Sequence, residues 1–231
     1  MDAYQCDVLV IGSGGAGARA AIEASANGAE VLIVSKTMEG KAHTVMAEGG
    51  INAALAHRDP EDSIGEHFRD TVEEGVFLNN QKMAEILANE TPKRVYDLEG
   101  YGAVFDRLDR RIAQRPFGGQ SHPRTCYVGD CTGHEIIMTL VEEARRRCVD
   151  YHSEVFVTRL LKDSGDPGRI AGAFAVDFIT GAYRTYLAKS VILATGGAGR
   201  VFKVTSNPHD SSGDGYALAL RAGASLQDME Q

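Results

Sequence analysis

Residues 7–17 read DVLVIGSGGAG, and this stretch decides the fold. Residues 7–11 (DVLVI) are an apolar run without alternation, the pattern of a strand covered on both faces in a parallel sheet. GSGGAG follows at once. Beyond it Ala18, Ala21, Ile22 and Ser25 recur at helical spacing, with small side chains that permit close packing. Asn27-Gly28 supplies a helix stop, since both residues tolerate a left-handed backbone. Residues 30–34 (EVLIV) read as a second buried strand, completing one βαβ unit of a doubly wound α/β sheet.

Within that unit Gly12, Gly14 and Gly17 fit the pattern GxGxxG. Gly12 allows the tight turn, Gly14 lets backbone approach a pyrophosphate, and Gly17 lets helix and strand pack closely. The helix start, with Ser13, Gly15 and Ala16, then offers backbone N–H groups to phosphate. The pattern departs from the common dinucleotide fingerprint in one place. The second strand ends in Ser35-Lys36-Thr37, with no carboxylate for the ribose hydroxyls, and Glu39 lies further along. That weakens the case for NAD and leaves FAD open.

Outward from this core, helical patterns fill residues 62–100, and Thr91-Pro92 reads as an N-cap with proline at the first helical position. Residues 132–147 form an amphipathic helix with Ile136, Ile137, Leu140, Val141 and Ala144 inward. Residues 155–161, 170–178 and 183–187 form an antiparallel meander, punctuated by Asp166-Pro167-Gly168 and Thr180-Gly181. Residues 190–194 (SVILA) are a further buried strand. The expected organisation is an α/β FAD-binding domain whose nucleotide-binding core takes 1–56 and 151–231, around a mainly helical insertion at 57–150.

The 231 residues carry a net charge of −8, which argues against nucleic acid as a partner. Arg145-Arg146-Arg147 closes a helix, where cations offset its carbonyl end. No run of ~18 apolar residues crosses a membrane, and the first strand leaves no room for a signal peptide. Cys6, Cys126, Cys131 and Cys148 show no CxxC pair, so a cytosolic chain with reduced thiols is the simplest reading. Cys6 is expected in the core. His122 and His134 read as structural, and His209 as solvent-facing.

Gly213-Asp214-Gly215 opens a helical run in which Asp214 either caps the helix or accepts from a ribityl hydroxyl. His43, on its residues alone, is a lone loop histidine, usually solvated. The string His43-Thr44-Val45 followed by Ala47-Glu48-Gly49-Gly50 resembles the flavin-attachment segment of the succinate dehydrogenase/fumarate reductase flavoprotein family. The resemblance continues through Phe117-Gly118-Gly119, Asp130-Cys131-Thr132-Gly133 and Ala194-Thr195-Gly196-Gly197-Ala198-Gly199-Arg200. Gly213-Asp214-Gly215, Arg221-Ala222-Gly223-Ala224 and Asp228-Met229-Glu230 extend it to the end of the sequence.

The resemblance implies FAD held covalently through His43. A bond to the flavin 8α carbon draws electron density from the ring and makes it a stronger hydride acceptor, as oxidation of an unactivated alkane requires. It also implies that Ser35, Lys36 and Thr37 approach the ribose, that backbone near Val157 approaches the adenine, and that Thr44 and 47–50 line the flavin. The implied activity is interconversion of succinate and fumarate, a dicarboxylate pair. The implied partners are a quinone, an iron–sulfur subunit and the membrane anchor of a respiratory complex, with the chain cytoplasmic and peripheral on the inner face of the membrane. The family's dicarboxylate site is largely built from later segments: a His-Pro-Thr segment, a capping domain and a proton-delivering arginine. No catalytic residue is therefore expected within these 231 residues, and no metal site. L-aspartate oxidase, which does not require the histidine at 43, is the alternative enzyme, and a non-catalytic FAD-binding module the alternative of another class.

Overall fold

The structure is a computed structural model that describes residues 2–166 and 168–229. Pro167 of the expected turn, Glu230 of the Asp-Met-Glu string and Gln231 lie outside the described residues. In chain order the elements are β1 (Asp2–Ile11), α1 (Gly15–Ala26), β2 (Val31–Val34), β3 (Ile51–Asn52), α2 (Ile64–Glu74), α3 (Gln81–Tyr101), β4 (Arg107–Leu108), β5 (Arg111–Ile112), β6 (Gln114–Arg115) and β7 (Thr125–Cys126). They continue with α4 (Thr132–Arg146), β8 (Asp150–His152), β9 (Val155–Lys162), β10 (Ile170–Asp177), β11 (Tyr183–Leu193) and α5 (Asp214–Ala222). Cα packing groups Met1–Thr44 with Leu140–Gln231 as one compact unit and Val45–Thr139 as a second.

The first unit is built on a six-stranded sheet in the order β8-β2-β1-β11-β10-β9. β1 lies parallel between β2 and β11, so Val10 is paired with Ile33 on one side and Ile192 on the other. Side chains alternate across a strand. Leu9 and Ile11 therefore join Leu32, Val34, Tyr186 and Leu218 of α5 on one face. Val10 joins Val31, Ile33 and Ala21 of α1 on the other. Both faces are covered, which is why DVLVI shows no polar alternation. Each fully buried aliphatic side chain here contributes about 1.5–3 kcal/mol relative to exposure.

Three local readings change. Residues 183–187 and 190–194 are not two strands. They form the single β11, antiparallel to β10 through its first half and parallel to β1 along its length. Lys189 and Ser190 look like a break in sequence, but both are exposed in extended chain, and Lys189 pairs with Asp7 at 2.5 Å. The short strand β8, parallel to β2, gave no sequence signal. Thr91-Pro92 does not start a helix: α3 begins after Asn80, whose side chain accepts from the Met83 N–H at 3.2 Å, and runs through Pro92. Burial of Ala84 and Ala88 before the proline and of Val95 and Leu98 after it carries the helix across.

The second unit holds α2, α3, a three-stranded sheet β3-β7-β6 and the β4-β5 pair. Its centre is Arg124, fully buried, with Nε and Nη2 on Asp62 and Nη1 on Asp70 at 2.6 Å. Asp70 also accepts from the Ser121 N–H and hydroxyl. Burial works against the Asp70 carboxylate, but the bonds from Ser121 and Arg124 outweigh it and hold its pKa below the ordinary value. The basic run at the end of α4 is paired: Arg146 and Arg147 on the buried Glu143, Arg145 on Glu39 and Glu142.

Candidate functional site

The carboxyl ends of β1, β2 and β11 and the start of α5 enclose a cavity of about 410 Å³ within the first unit. Its floor is the glycine turn. Gly12 has φ +110, and a Cβ there would stand 2.2 Å from the Ala194 carbonyl oxygen. A Cβ on Gly17 would stand 2.0 Å from the Gly12 oxygen, so Gly17 lies behind the turn and lets α1 close on it. Gly14 differs: a Cβ would meet only Ala42 and Thr44 side-chain atoms at 3.5 Å. No protein atom demands that glycine; the open space above it does. Gly14 is the N-cap of α1 with no side-chain cap. The Gly15 N–H bonds the Thr44 hydroxyl at 3.0 Å, and the helix start with Ala16 faces the cavity.

The lining brings together Gly12, Ser13, Gly14, Gly15, Ala16, Ser35, Lys36, Thr37, His43, Thr44, Val157 and Asp214. His43 opens a short 3-10 turn (His43–Met46) and is exposed at the cavity wall. Ala47, Glu48, Gly49 and Gly50 belong to the second unit. There the Ala47 carbonyl accepts from Gly133 N–H, and Arg115 donates to the carbonyls of Glu48 and Gly49. Gly50, at φ +127, lies against the Cys126 carbonyl.

Asp214 does not cap α5. Gly213, at φ +76, is the N-cap, and Asp214 sits in the first turn with its carboxylate bonded by Lys36 Nζ and by the Ser212 hydroxyl at 2.9 Å. Gly215 explains the second glycine of this motif, since a Cβ would collide with the Thr195 hydroxyl at 1.8 Å.

The sequence reading missed the hydroxyl cluster behind the cavity. Tyr151 of β8 donates to Ser13 Oγ at 3.0 Å, and Ser13 donates to Ser35 Oγ at 3.0 Å. Burial pushes the Tyr151 phenol above its ordinary pKa, so it stays a donor. A short strand reading Asp-Tyr-His carries no signal that would have exposed this role.

The remaining candidates fall into structural places. Cys6 is buried and pushed up to about 11, chiefly by burial. Cys126 is buried, its thiol pushed up to about 12 by burial, while Cys131 is exposed and raised by the neighbouring Asp130 carboxylate; both are free. His122 bonds Asp59 at 2.8 Å, and His134 and His209 are exposed. No group of three or more metal-ligating side chains occurs among the described residues.

A glycine turn between parallel strand and helix, a helix start facing a cavity at the strand ends, and an antiparallel meander on the same sheet define a dinucleotide-binding α/β domain. The chain belongs to the FAD binding domain family, whose pattern matches residues 7–231. It is 51% identical over 230 residues to the fumarate reductase (CoM/CoB) of Methanothermobacter marburgensis, covering 99% of this chain and 42% of that protein. It is 40% identical to the succinate dehydrogenase flavoprotein subunit of Coxiella burnetii, covering 98% of this chain and 40% of that protein. Among solved structures, Mycobacterium smegmatis Sdh1 superposes with a TM-score of 0.92 at 47% identity, over 96% of this chain and 39% of that one. The E. coli quinol fumarate reductase FrdA superposes at 0.89 and 35% identity, over 96% and 37%. The chain thus spans about two fifths of the length of these relatives.

The residues present fit FAD. The Gly12 and Gly17 contacts hold the turn tight, the space over Gly14 admits a pyrophosphate, and the apolar walls of Val155, Val157 and Leu218 suit an adenine.

Proposed function

We propose that this chain is the FAD-holding part of a flavoprotein subunit that interconverts succinate and fumarate, with the flavin attached through His43. The observation that carries the reading is the placement of His43. It stands on the wall of the cavity whose floor is the glycine turn, and its neighbour Thr44 accepts the Gly15 N–H at the start of α1. That bond ties the histidine loop to the pyrophosphate end of the site. Bound FAD supplies two-electron hydride chemistry that no side chain offers.

This chain's residues have binding and orienting tasks. Backbone N–H groups of the α1 start meet the pyrophosphate. Ser35, Lys36 and Thr37 approach the ribose, and the backbone at Val157 approaches the adenine. Asp214, in the first turn of α5, lies where a ribityl hydroxyl is within its reach. Ala47, Glu48, Gly49 and Gly50 continue the histidine loop toward the flavin. The dicarboxylate site and the proton-transfer group are supplied by segments beyond these 231 residues. Names of the relatives support the substrate pair, and they support a quinone, a membrane anchor and an iron–sulfur subunit as the electron route. No helix among the described residues is long and apolar enough to cross a membrane, which agrees with a peripheral, cytoplasmic-face location through partner subunits.

Trichloroacetic acid precipitation tests the attachment. The yellow colour is expected in the pellet from the unaltered protein and in the supernatant from His43→Ser. Colour in the supernatant from the unaltered protein, or pellet colour retained by His43→Ser, overturns attachment at this residue. Succinate-dependent dye reduction by the assembled complex tests the activity.

A further inference from the structure

We propose that Tyr151, which lies behind the cavity, is a positioning residue that turns the end of β2 into a hydrogen-bond acceptor for a ribose hydroxyl. It does so where other dinucleotide sites place a carboxylate. The inference rests on the flavin reading above and adds a ligand-selecting device to it.

The direction of the hydroxyl chain follows from its far end. Thr37 Oγ1 bonds the Lys41 carbonyl at 2.6 Å, and a carbonyl only accepts, so Thr37 is the donor. Its one proton is then committed, and the 3.1 Å bond between Ser35 Oγ and Thr37 Oγ1 must be donated by Ser35. Ser35 therefore accepts from Ser13 at 3.0 Å, and Ser13 accepts from Tyr151 at 3.0 Å. Every proton runs one way, from the phenol to the Lys41 carbonyl. Tyr151 also reaches the Thr37 carbonyl at 3.3 Å, which braces both ends of the chain.

This order assigns different tasks to residues that the sequence grouped together. Ser35 is 5% exposed, donates once and accepts twice, the second time from the Thr37 N–H at 3.3 Å. A hydroxyl has two lone pairs, so Ser35 is saturated and acts through its neighbours. Thr37 Oγ1 is half-buried on the cavity wall and, among the described residues, retains an open lone pair. It can accept from a ribose hydroxyl but has no proton to give. Ser13 likewise has no proton for the pyrophosphate, which is left to backbone N–H groups. An acceptor without formal charge can thus select a free hydroxyl, as a carboxylate does, without placing an anion beside the phosphates.

The test uses protein carrying His43→Ser, so that binding is reversible, and compares FAD with its 2′-deoxyadenosine analogue by flavin fluorescence titration. One neutral hydrogen bond corresponds to about a fivefold to tenfold preference for FAD. Thr37→Val is expected to bring the ratio to about one, and Tyr151→Phe to reduce it to about twofold. Ser13→Ala breaks the chain at a second point and should reduce the ratio in the same way if Tyr151→Phe fails to fold. A purely structural Tyr151 would weaken both ligands equally and leave the ratio intact, which overturns the proposal. FAD bound without any preference over the analogue also overturns it, while leaving the flavin reading standing. Absence of FAD binding altogether sinks both.

Discussion

Lys36 and Asp214 stand 178 positions apart in the chain and pair across the cavity wall, Nζ to Oδ2. Lys36 follows β2 and Asp214 opens α5, so this contact ties the first βα unit to the last helix. Their side chains keep 23% and 26% of their exposure, which places the pair between surface and core. An ion pair so hydrated is worth about 1 kcal/mol at most. A double-mutant cycle with Lys36→Met and Asp214→Asn, read by urea unfolding, is expected to show coupling of about that size at low salt and less at high salt. Zero coupling at low salt would mean the contact adds nothing to folding.

The glycine turn separates folding from binding. Gly17→Ala drives a Cβ to 2.0 Å from the Gly12 carbonyl oxygen, and Gly12→Ala adds a backbone at φ +110 to a 2.2 Å collision. Each is expected to cost about 3 kcal/mol or more. Gly14→Ala meets nothing closer than 3.5 Å and has an ordinary φ of −70. Its folding cost should stay within about 1 kcal/mol, yet its methyl projects where backbone approaches the pyrophosphate. Urea midpoints and FAD titrations should therefore diverge: Gly14→Ala folds but binds at least about tenfold more weakly. Equal losses of stability in all three variants would remove the distinction.

That turn was legible because it is local. A strand, three spaced glycines and a helix lie within a short stretch, and each glycine answers a contact made by the stretch itself or by β11 beside it. The unread parts depend on distance. Tyr151 gains its task only because β8 pairs with β2, and a strand of three residues carries no periodicity to announce that. Lys189 and Ser190 looked like an end of strand because the Asp7 side chain that meets Lys189 is not adjacent in sequence. Asp214 carried the local signature of a helix cap, and the Lys36 ammonium claimed it instead.

Acid should destabilise the second unit through His67. This side chain is 4% exposed, and its Nδ1 has no hydrogen-bond partner among the described residues. Burial first, then the positive charge of Arg124, holds its pKa below the ordinary 6.5. The unfolded chain therefore takes up a proton that the folded one refuses. The stability His67 contributes is complete above its unfolded pKa and is lost as pH falls below it. His152 in the first unit acts in the same direction, by burial and then by Arg184. His122 acts oppositely: its bond to Asp59 raises its pKa, so its contribution is full at low pH and fades as pH rises. Between about pH 7 and 5, His67→Asn should remove up to about 1.4 kcal/mol per pH unit from the slope of unfolding free energy. An unchanged slope would show that His67 titrates alike in both states.

Pro92 offers a stabilising substitution that leaves the cavity untouched. It lies inside α3, so the Ala88 carbonyl four residues earlier lacks its helical N–H donor, and the proline ring crowds that carbonyl. The helix persists because Ala84, Ala88 and Thr91 on one side of the proline and Val95 and Leu98 on the other are all buried along one face. The Thr91 hydroxyl bonds the Leu87 carbonyl, not the one the proline leaves open. Pro92→Ala restores the missing donor and removes the crowding, at the expense of the ring's packing and of the stiffness proline gives the unfolded chain. The interior penalty for proline is about 3 kcal/mol and the loss in the unfolded state about 1 kcal/mol, so a net gain of about 1–2 kcal/mol is expected. It should appear as a higher urea midpoint with an unchanged slope. Because position 92 does not line the cavity, FAD affinity should stay the same. A lower midpoint would mean that the ring's packing outweighs the bond it denies to Ala88.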